Sequence, residues 1–379
     1  MNSFFKNFFV AHCLTVCCGL VLAGSAEAQT FDDYNGKTVV LAAKRNNVMY
    51  AVTCNFPESG RMAKQEVTLN QEGNIVYLTS EAVHKEIQWT IGLNSKSKII
   101  IGSVSSGKYL YINNSNNLTT EKSNYFTYSN TYKTFTYTPE SSSSIYGIVL
   151  YGEKFALEDN TFFKTYPIAK PYFLAEHTWR TLGSSNFGTI CFPKAVRADE
   201  VAGATFYEIY AKIMNGEEFK GIVLNEVTGD LEAGRPYIFK RAGEATYIVA
   251  AMHGDAAEAG SFGGLVGTLT GTEKDGGFEV PAGMYILQGD QLWLTTEDQS
   301  RLLAGRAYIN PADITNKITY SKASYVKGII IGMDAPADEV SAPAIKGAQG
   351  ATFDLQGRPA TRLLHGHTYL IDGRKVYIK

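Results

Sequence analysis

The sequence predicts an all-β protein with an N-terminal β-trefoil-like or sandwich domain, a central β-sandwich and a short C-terminal β-hairpin unit. Three observations carry that expectation. A six-residue device recurs as Ala233-Gly234-Arg235-Pro236-Tyr237-Ile238 and Ala304-Gly305-Arg306-Ala307-Tyr308-Ile309, with a shorter form at Ala282-Gly283-Met284-Tyr285-Ile286. In each, glycine turns the chain and Tyr and Ile open a strand, because aromatic and β-branched side chains fit a pleated, half-buried surface. A pattern of apolar strand, turn and aromatic strand recurs three times before residue 170, at spacings of about 50–60 residues. No long stretch of helical period separates the Gly and Asp turns of the second half, as a sandwich requires.

The chain has 379 residues, which favours two compact domains plus extras. Its formal net charge of -2 leaves no concentrated basic surface, so a nucleic-acid partner is not expected. Lys6, the mostly apolar run Phe8 to Leu22 and the small-x-small site Ala26-Glu27-Ala28 read as a secretory signal peptide over 1–28, with Gln29 as the mature N-terminus. A lipoprotein signal ending at Cys17 or Cys18 is the second reading, ranked lower because Val16 stands where lipid attachment wants a small residue. No later run is long enough to span a bilayer, so no transmembrane segment is expected after the signal. Removing the signal removes Cys13, Cys17 and Cys18. Cys54 and Cys191 remain as either two small buried hydrophobes or a single bridge.

The first domain is expected over 29–170. Its recurring segments are Val39-Val40-Leu41-Ala42 to Met49-Tyr50-Ala51-Val52, Ile99-Ile100-Ile101 to Tyr109-Leu110-Tyr111-Ile112, and Ile148-Val149-Leu150-Tyr151 to Phe155-Ala156-Leu157. Strands Trp89-Thr90-Ile91 and Phe135-Thr136-Tyr137 precede the second and third. Loops 112–122 and 139–144, rich in Asn, Ser and Thr, are too polar to be buried.

The second domain is expected over 171–334. Thr189-Ile190-Cys191-Phe192 is a short strand that Pro193 ends. Over Thr205 to Lys212, Tyr207, Ile209 and Ala211 fall on one face by strand alternation. Strands at 222–227, 237–240, 247–251, 284–287, 291–294 and 329–331 continue the series. Residues 335–348, with Pro336 and Pro343 and no apolar period, read as an extended linker. In the tail, 349–379, Thr352-Phe353-Asp354-Leu355 is a strand, and Tyr369-Leu370-Ile371 pairs with Lys375-Val376-Tyr377-Ile378 across Asp372-Gly373.

On Phe353-Asp354-Leu355-Gln356-Gly357-Arg358, Gly366, Tyr369-Leu370-Ile371, Asp372-Gly373-Arg374-Lys375 and the terminal Lys379, this tail resembles the end of the type IX secretion (Por) C-terminal sorting domain family. The resemblance covers about residues 349 to 379 and matches only the last strands of that domain. The central domain is similar, through Gly188 to Pro193, Ala204 to Tyr207 and the two Ala-Gly-Arg turns, to a β-sandwich found in the same class of secreted proteins. The resemblance implies a location and a fold, with no catalytic residues attached.

Little in the sequence points to catalysis. Cys191 lies between Ile190 and Phe192 with no neighbouring His, as an inert buried thiol does. His177 beside Glu176 reads as a surface residue at a domain junction. His365 and His367 share a strand face, but a third ligand for zinc is missing, so no metal site is expected. Gly260 to Gly267 lacks the spacing of a dinucleotide or phosphate loop and reads as a flexible loop. Glu297 and Asp298, being adjacent in a strand, cannot form a glycosidase pair. No cofactor is expected. Rings that could stack on a glycan or peptide are Trp89, Tyr109, Tyr111, Trp179 and Trp293, of which roughly one or two should be exposed. The expected function is non-enzymatic: a secreted or outer-surface protein that binds or adheres to a glycan or protein ligand. The alternatives are a structural subunit of a surface assembly, or a hydrolase with carboxylates on sandwich loops.

Overall fold

The structure is a computed structural model that describes residues 30–56, 61–111, 117–119, 125–139, 143–271, 277–296, 301–319, 328–332, 338–340, 352–354, 368–371 and 374–377. Strand accounts for 54% and helix for 6%, so the class is all-β.

In the first lobe the strand Thr38–Arg45 is the hub. Its residues 38–40 pair with Gln88–Leu93, 40–42 with Lys170–Tyr172 and 42–45 with Val48–Val52. The apolar run Val39 to Ala43 is buried throughout because both faces are covered. Val39, Leu41 and Ala43 enter the main core with Trp89, Ile101, Phe135, Leu150 and Phe155, so all three recurring segments share it. Val40 and Ala42 face a second cluster with Met49, Ala51, Val67 and Ile87. The ladder runs on from Arg61–Leu69 through Lys154–Asp159, Tyr146–Tyr151 and Thr134–Tyr137 to Thr127–Ser129. A bridge from Phe126 to Ile99 returns that far end to the other half of the ladder.

The second lobe is built on the sheet order 187–191, 236–241, 204–215, 218–226, 328–332, 338–340. Along Pro236–Arg241 the side chains alternate between two cores. Ile238 packs with Tyr207, Leu224, Leu265, Tyr285 and Ile309, between this sheet and the smaller one containing 265–268, 285–288 and 306–309. Tyr237 and Phe239 face the opposite way, with Ile190, Phe206, Ile248 and Ala250. That second core lies against a three-stranded sheet of Glu176–Thr181, Tyr247–Met252 and Val201–Ala202. The glycines of the repeated turn have positive φ: Gly234 at 71°, Gly283 at 81° and Gly305 at 74°.

Four expectations need correction. Ala211 does not share a face with Tyr207 and Ile209, because a bulge at Tyr210 shifts the register: Ile209 opposes Leu224 and Ala211 opposes Val223. Ala211 therefore joins Ile213 and Val223 in a separate cluster. Residues 261–268 form a hairpin of Ser261–Phe262 and Leu265–Thr268, with Gly263 and Gly264 supplying the positive φ of its turn. The domain limit moves, since Lys170–Tyr172 belongs to the first sheet and the new lobe starts at Glu176. The expected linker contains Asp338–Val340, which adds to the sandwich edge by pairing with Gly328–Ile330. Cys54 and Cys191 follow the unpaired one of the two readings: both are free thiols, Cys191 buried and Cys54 half-buried.

The tail forms its own three-stranded sheet of Thr352–Asp354, Thr368–Ile371 and Arg374–Tyr377, with Ile371 opposite Arg374 at the hairpin end. Among the described residues no helix is long and apolar enough to cross a membrane.

Candidate functional site

Residues 173–176 carry the chain from one lobe to the other, and Trp179 lies just beyond them. Phe173 and Ala175 bond to Ile75 of the first lobe at 2.8 and 2.9 Å. Trp179 Nε1 donates to the carbonyl of Thr79 at 2.8 Å, and Tyr77 N donates to His177 Nε2 at 3.4 Å. Arg197 forks onto Glu72 across the same junction and also reaches Glu200 at 3.1 Å, while His253 Nε2 meets Glu200. The two converging carboxylates therefore share an arginine.

Trp179 borders two cavities. The first, of about 340 Å³, lies between Thr178–Arg180, Ile190–Pro193, Ile248, Leu269 and the turn Leu303 to Arg306. Its lining is largely aliphatic and aromatic and includes two arginines, Arg180 and Arg306. Arg180 donates through Nη1 to the Thr189 carbonyl and lies 4.8 Å from the Phe239 ring centroid. Burial, and then the charge of Arg306, lower Arg180 to about 10. Neither arginine has an ion pair among the described residues. The wall is fixed by Thr189, whose Oγ1 donates to the Ala307 carbonyl at 2.8 Å and accepts from Ala307 N at 2.9 Å. Cys191, also in the wall, is an unreactive thiol that burial pushes up to about 11, and it donates to the Gly234 carbonyl at 3.3 Å.

The second cavity, of about 280 Å³, lies at the junction and is lined by Glu81, His84, Lys85, Gln88, Leu174, Ala175, His177 and Trp179. His84 sits on a short helix, Glu81–His84, whose N-cap Ser80 accepts from Val83 N. It is 2% exposed. The Gln88 amide nitrogen donates to the His84 carbonyl at 3.2 Å and faces His84 Nδ1 at 2.8 Å, which places the ring proton on Nε2. That Nε2 has no hydrogen-bond partner among the described residues. His177 lies edge-on to His84 with centroids 4.5 Å apart and is itself half-buried, correcting the surface reading. Burial lowers both imidazoles, His84 to about 4. No group of three or more metal-ligating side chains occurs among the described residues.

The five candidate stacking residues are not gathered into one site. Trp89 has to be withdrawn: it is fully buried in the first core, and its Nε1 donates to the Val52 carbonyl at 3.0 Å. Tyr109 and Tyr111 are half-buried, and the Tyr109 ring lies over Gly102, its cross-strand partner. Trp293 is 54% exposed on the edge strand Gln291–Leu294. Trp179 borders a cavity that combines apolar walls with charge. Glu297, Asp298, His365 and His367 lie outside the described residues. Sequence reasoning missed Arg180, Arg306 and His84 as site residues. Arg306 carried a signal, being the repeat of Arg235; the Ser80-Glu81 cap marked the helix that carries His84.

Comparison with protein-family models, with curated proteins and with solved structures finds no match.

Proposed function

We propose that this chain is a secreted or cell-surface, non-enzymatic binding protein whose glycan or protein ligand inserts a group into the cavity beside Trp179. The signal-like segment 1–28 and the sorting-like tail 349–379 support the location. The binding role rests on one observation: a concave, mostly apolar cavity of about 340 Å³ is lined by Trp179 and by two arginines, Arg180 and Arg306. Apolar walls with a few convergent polar groups are the form small-ligand sites take. Among the described residues, the carboxylate pairs that converge, Glu72 with Glu200 and Glu208 with Glu232, are each held by an arginine, Arg197 and Arg235, which does not favour the hydrolase alternative.

The test is a glycan and peptide array probed with the full chain and with Ala304→Trp. Ala304 is exposed at the mouth of the cavity, so an indole there plugs it without entering a core. Signals that vanish with the plugged variant are expected. Signals that persist, or an array at background, would count against the proposal.

A further inference from the structure

The ligand's chemical class follows from the repeated turn, and the inference rests on the binding role proposed above. Arg235 and Arg306 occupy the same place in the two copies of Ala-Gly-Arg. Arg235 is neutralised: Nη2 meets Glu208 at 2.7 Å, Nη1 meets Glu232 at 2.7 Å, and its guanidinium carbon lies 3.4 Å from the Phe262 ring centroid. The Arg306 side chain has no hydrogen bond, ion pair or ring contact among the described residues, although its backbone pairs opposite Thr268 in the ladder. It lines the cavity with Arg180, which also has no carboxylate there. Two like charges held together against apolar walls are costly unless an anion joins them. Arg180 is oriented by Thr189 and Phe239, so its position is fixed before any ligand arrives.

We propose that the cavity binds a carboxylate carried on an apolar body, with the acid between Arg180 and Arg306 and the body against Ile190, Ile248, Leu269 and Leu303. Arginine forks match carboxylate geometry, and an aliphatic wall rewards a hydrocarbon or aryl group. An acidic sugar fits less well, because its hydroxyls would meet few polar partners on those walls. The same chemistry can come from a free aryl or alkyl acid, or from a peptide terminus ending in an apolar residue.

Calorimetric titration of the full chain tests this with four probes: 3-phenylpropionate, its neutral amide, N-acetylglycylphenylalanine and glucuronate. The acid is expected to bind at least about tenfold more tightly than the amide, the ratio of a charge-assisted to a neutral contact. Arg306→Gln should abolish that ratio, and Arg306→Lys should keep part of it. Thermal melting of both variants checks that they fold. A tighter dipeptide assigns the peptide source and a tighter phenylpropionate the small acid, either of which supports the proposal. Equal binding of acid and amide, lost in Ala304→Trp, overturns the carboxylate assignment and leaves the binding role standing. Glucuronate binding most tightly also overturns it. No binding of any probe at millimolar concentration overturns both.

Discussion

Arg197 shows what a single residue contributes at the lobe junction. It holds Glu72 of the first lobe and Glu200 of the second, and Glu200 is only 7% exposed. Its hydrogen bond is the main reason that Glu72 sits below the usual carboxylate range. Arg197→Ala leaves the buried Glu200 carboxylate with His253 as its remaining partner, so it should lower unfolding free energy by on the order of 1–3 kcal/mol, discounted for the half-exposed Glu72. Urea denaturation checks this; a loss below about 1 kcal/mol would mean that solvent already screens the cluster. None of this was legible in the sequence, because Glu72, Arg197, Glu200 and His253 are spread over nearly 200 positions and only the docked lobes bring them together. Trp89 failed for the opposite reason. Its alternation with Ile91 marked a half-buried strand but not which face turns inward: Trp89 and Ile91 face the core, and Thr90 between them is exposed.

At the scale of elements, local chemistry was readable wherever one or two residues decide the backbone. The glycine turns before Tyr237, Tyr285 and Tyr308 fall in the left-handed region, and the strands on either side of 372–373 pair with Ile371 opposite Arg374. The bulge at Tyr210 was not readable, because one inserted residue leaves composition unchanged while it turns Ala211 to the other face. The three turns also separate two costs. At Gly234 an added Cβ would strike the Glu258 carbonyl, whereas at Gly283 nothing lies within 4 Å. Gly283→Ala should cost about 1 kcal/mol from the positive φ alone, and Gly234→Ala about 2–4 kcal/mol because the clash is added. Chemical denaturation of the two variants measures the difference; equal losses would remove the close-packing explanation. The strand Asp338–Val340 leads to a similar contrast. Truncation after Val340 should leave the melting temperature nearly unchanged, and truncation before Pro336 should lower it by a few degrees by exposing the edge Gly328–Gly332. Identical melting temperatures would show that this edge pair adds nothing.

For the molecule as a whole, the junction links stability to pH. His84 is held near 4 by burial and then by His177, and His177 is itself lowered by burial. Glu81 and Lys85 flank His84 on its own segment, and Glu200 and His253 act on His177. Both rings titrate near 6.5 when unfolded, so between pH 6.5 and 4 the unfolded chain binds protons that the folded chain refuses. Stability is therefore full above pH 6.5 and falls as pH drops towards 4, by about 2 kcal/mol between pH 7 and 5 for His84 alone. The contribution of Glu72 has the same sign in a lower window. Its carboxyl is depressed in the folded state, so its share is present above about pH 4.5 and lost below. Urea midpoints at pH 7 and pH 5 should show the first loss, and His84→Gln should shrink it. A midpoint flat across that interval would contradict the buried neutral pair. Two all-β lobes were legible from strand period and turns, whereas their docking through Trp179, His177 and Arg197 was not, because it depends on contacts about 100 residues apart.

The central claim is that the cavity beside Trp179 is where this protein meets its ligand. A crystal of the full chain soaked with 3-phenylpropionate tests it most directly. The expected density places the carboxylate between Arg180 and Arg306 and the ring against Ile248 and Leu269. Density on the exposed Trp293 strand with the cavity empty would contradict it.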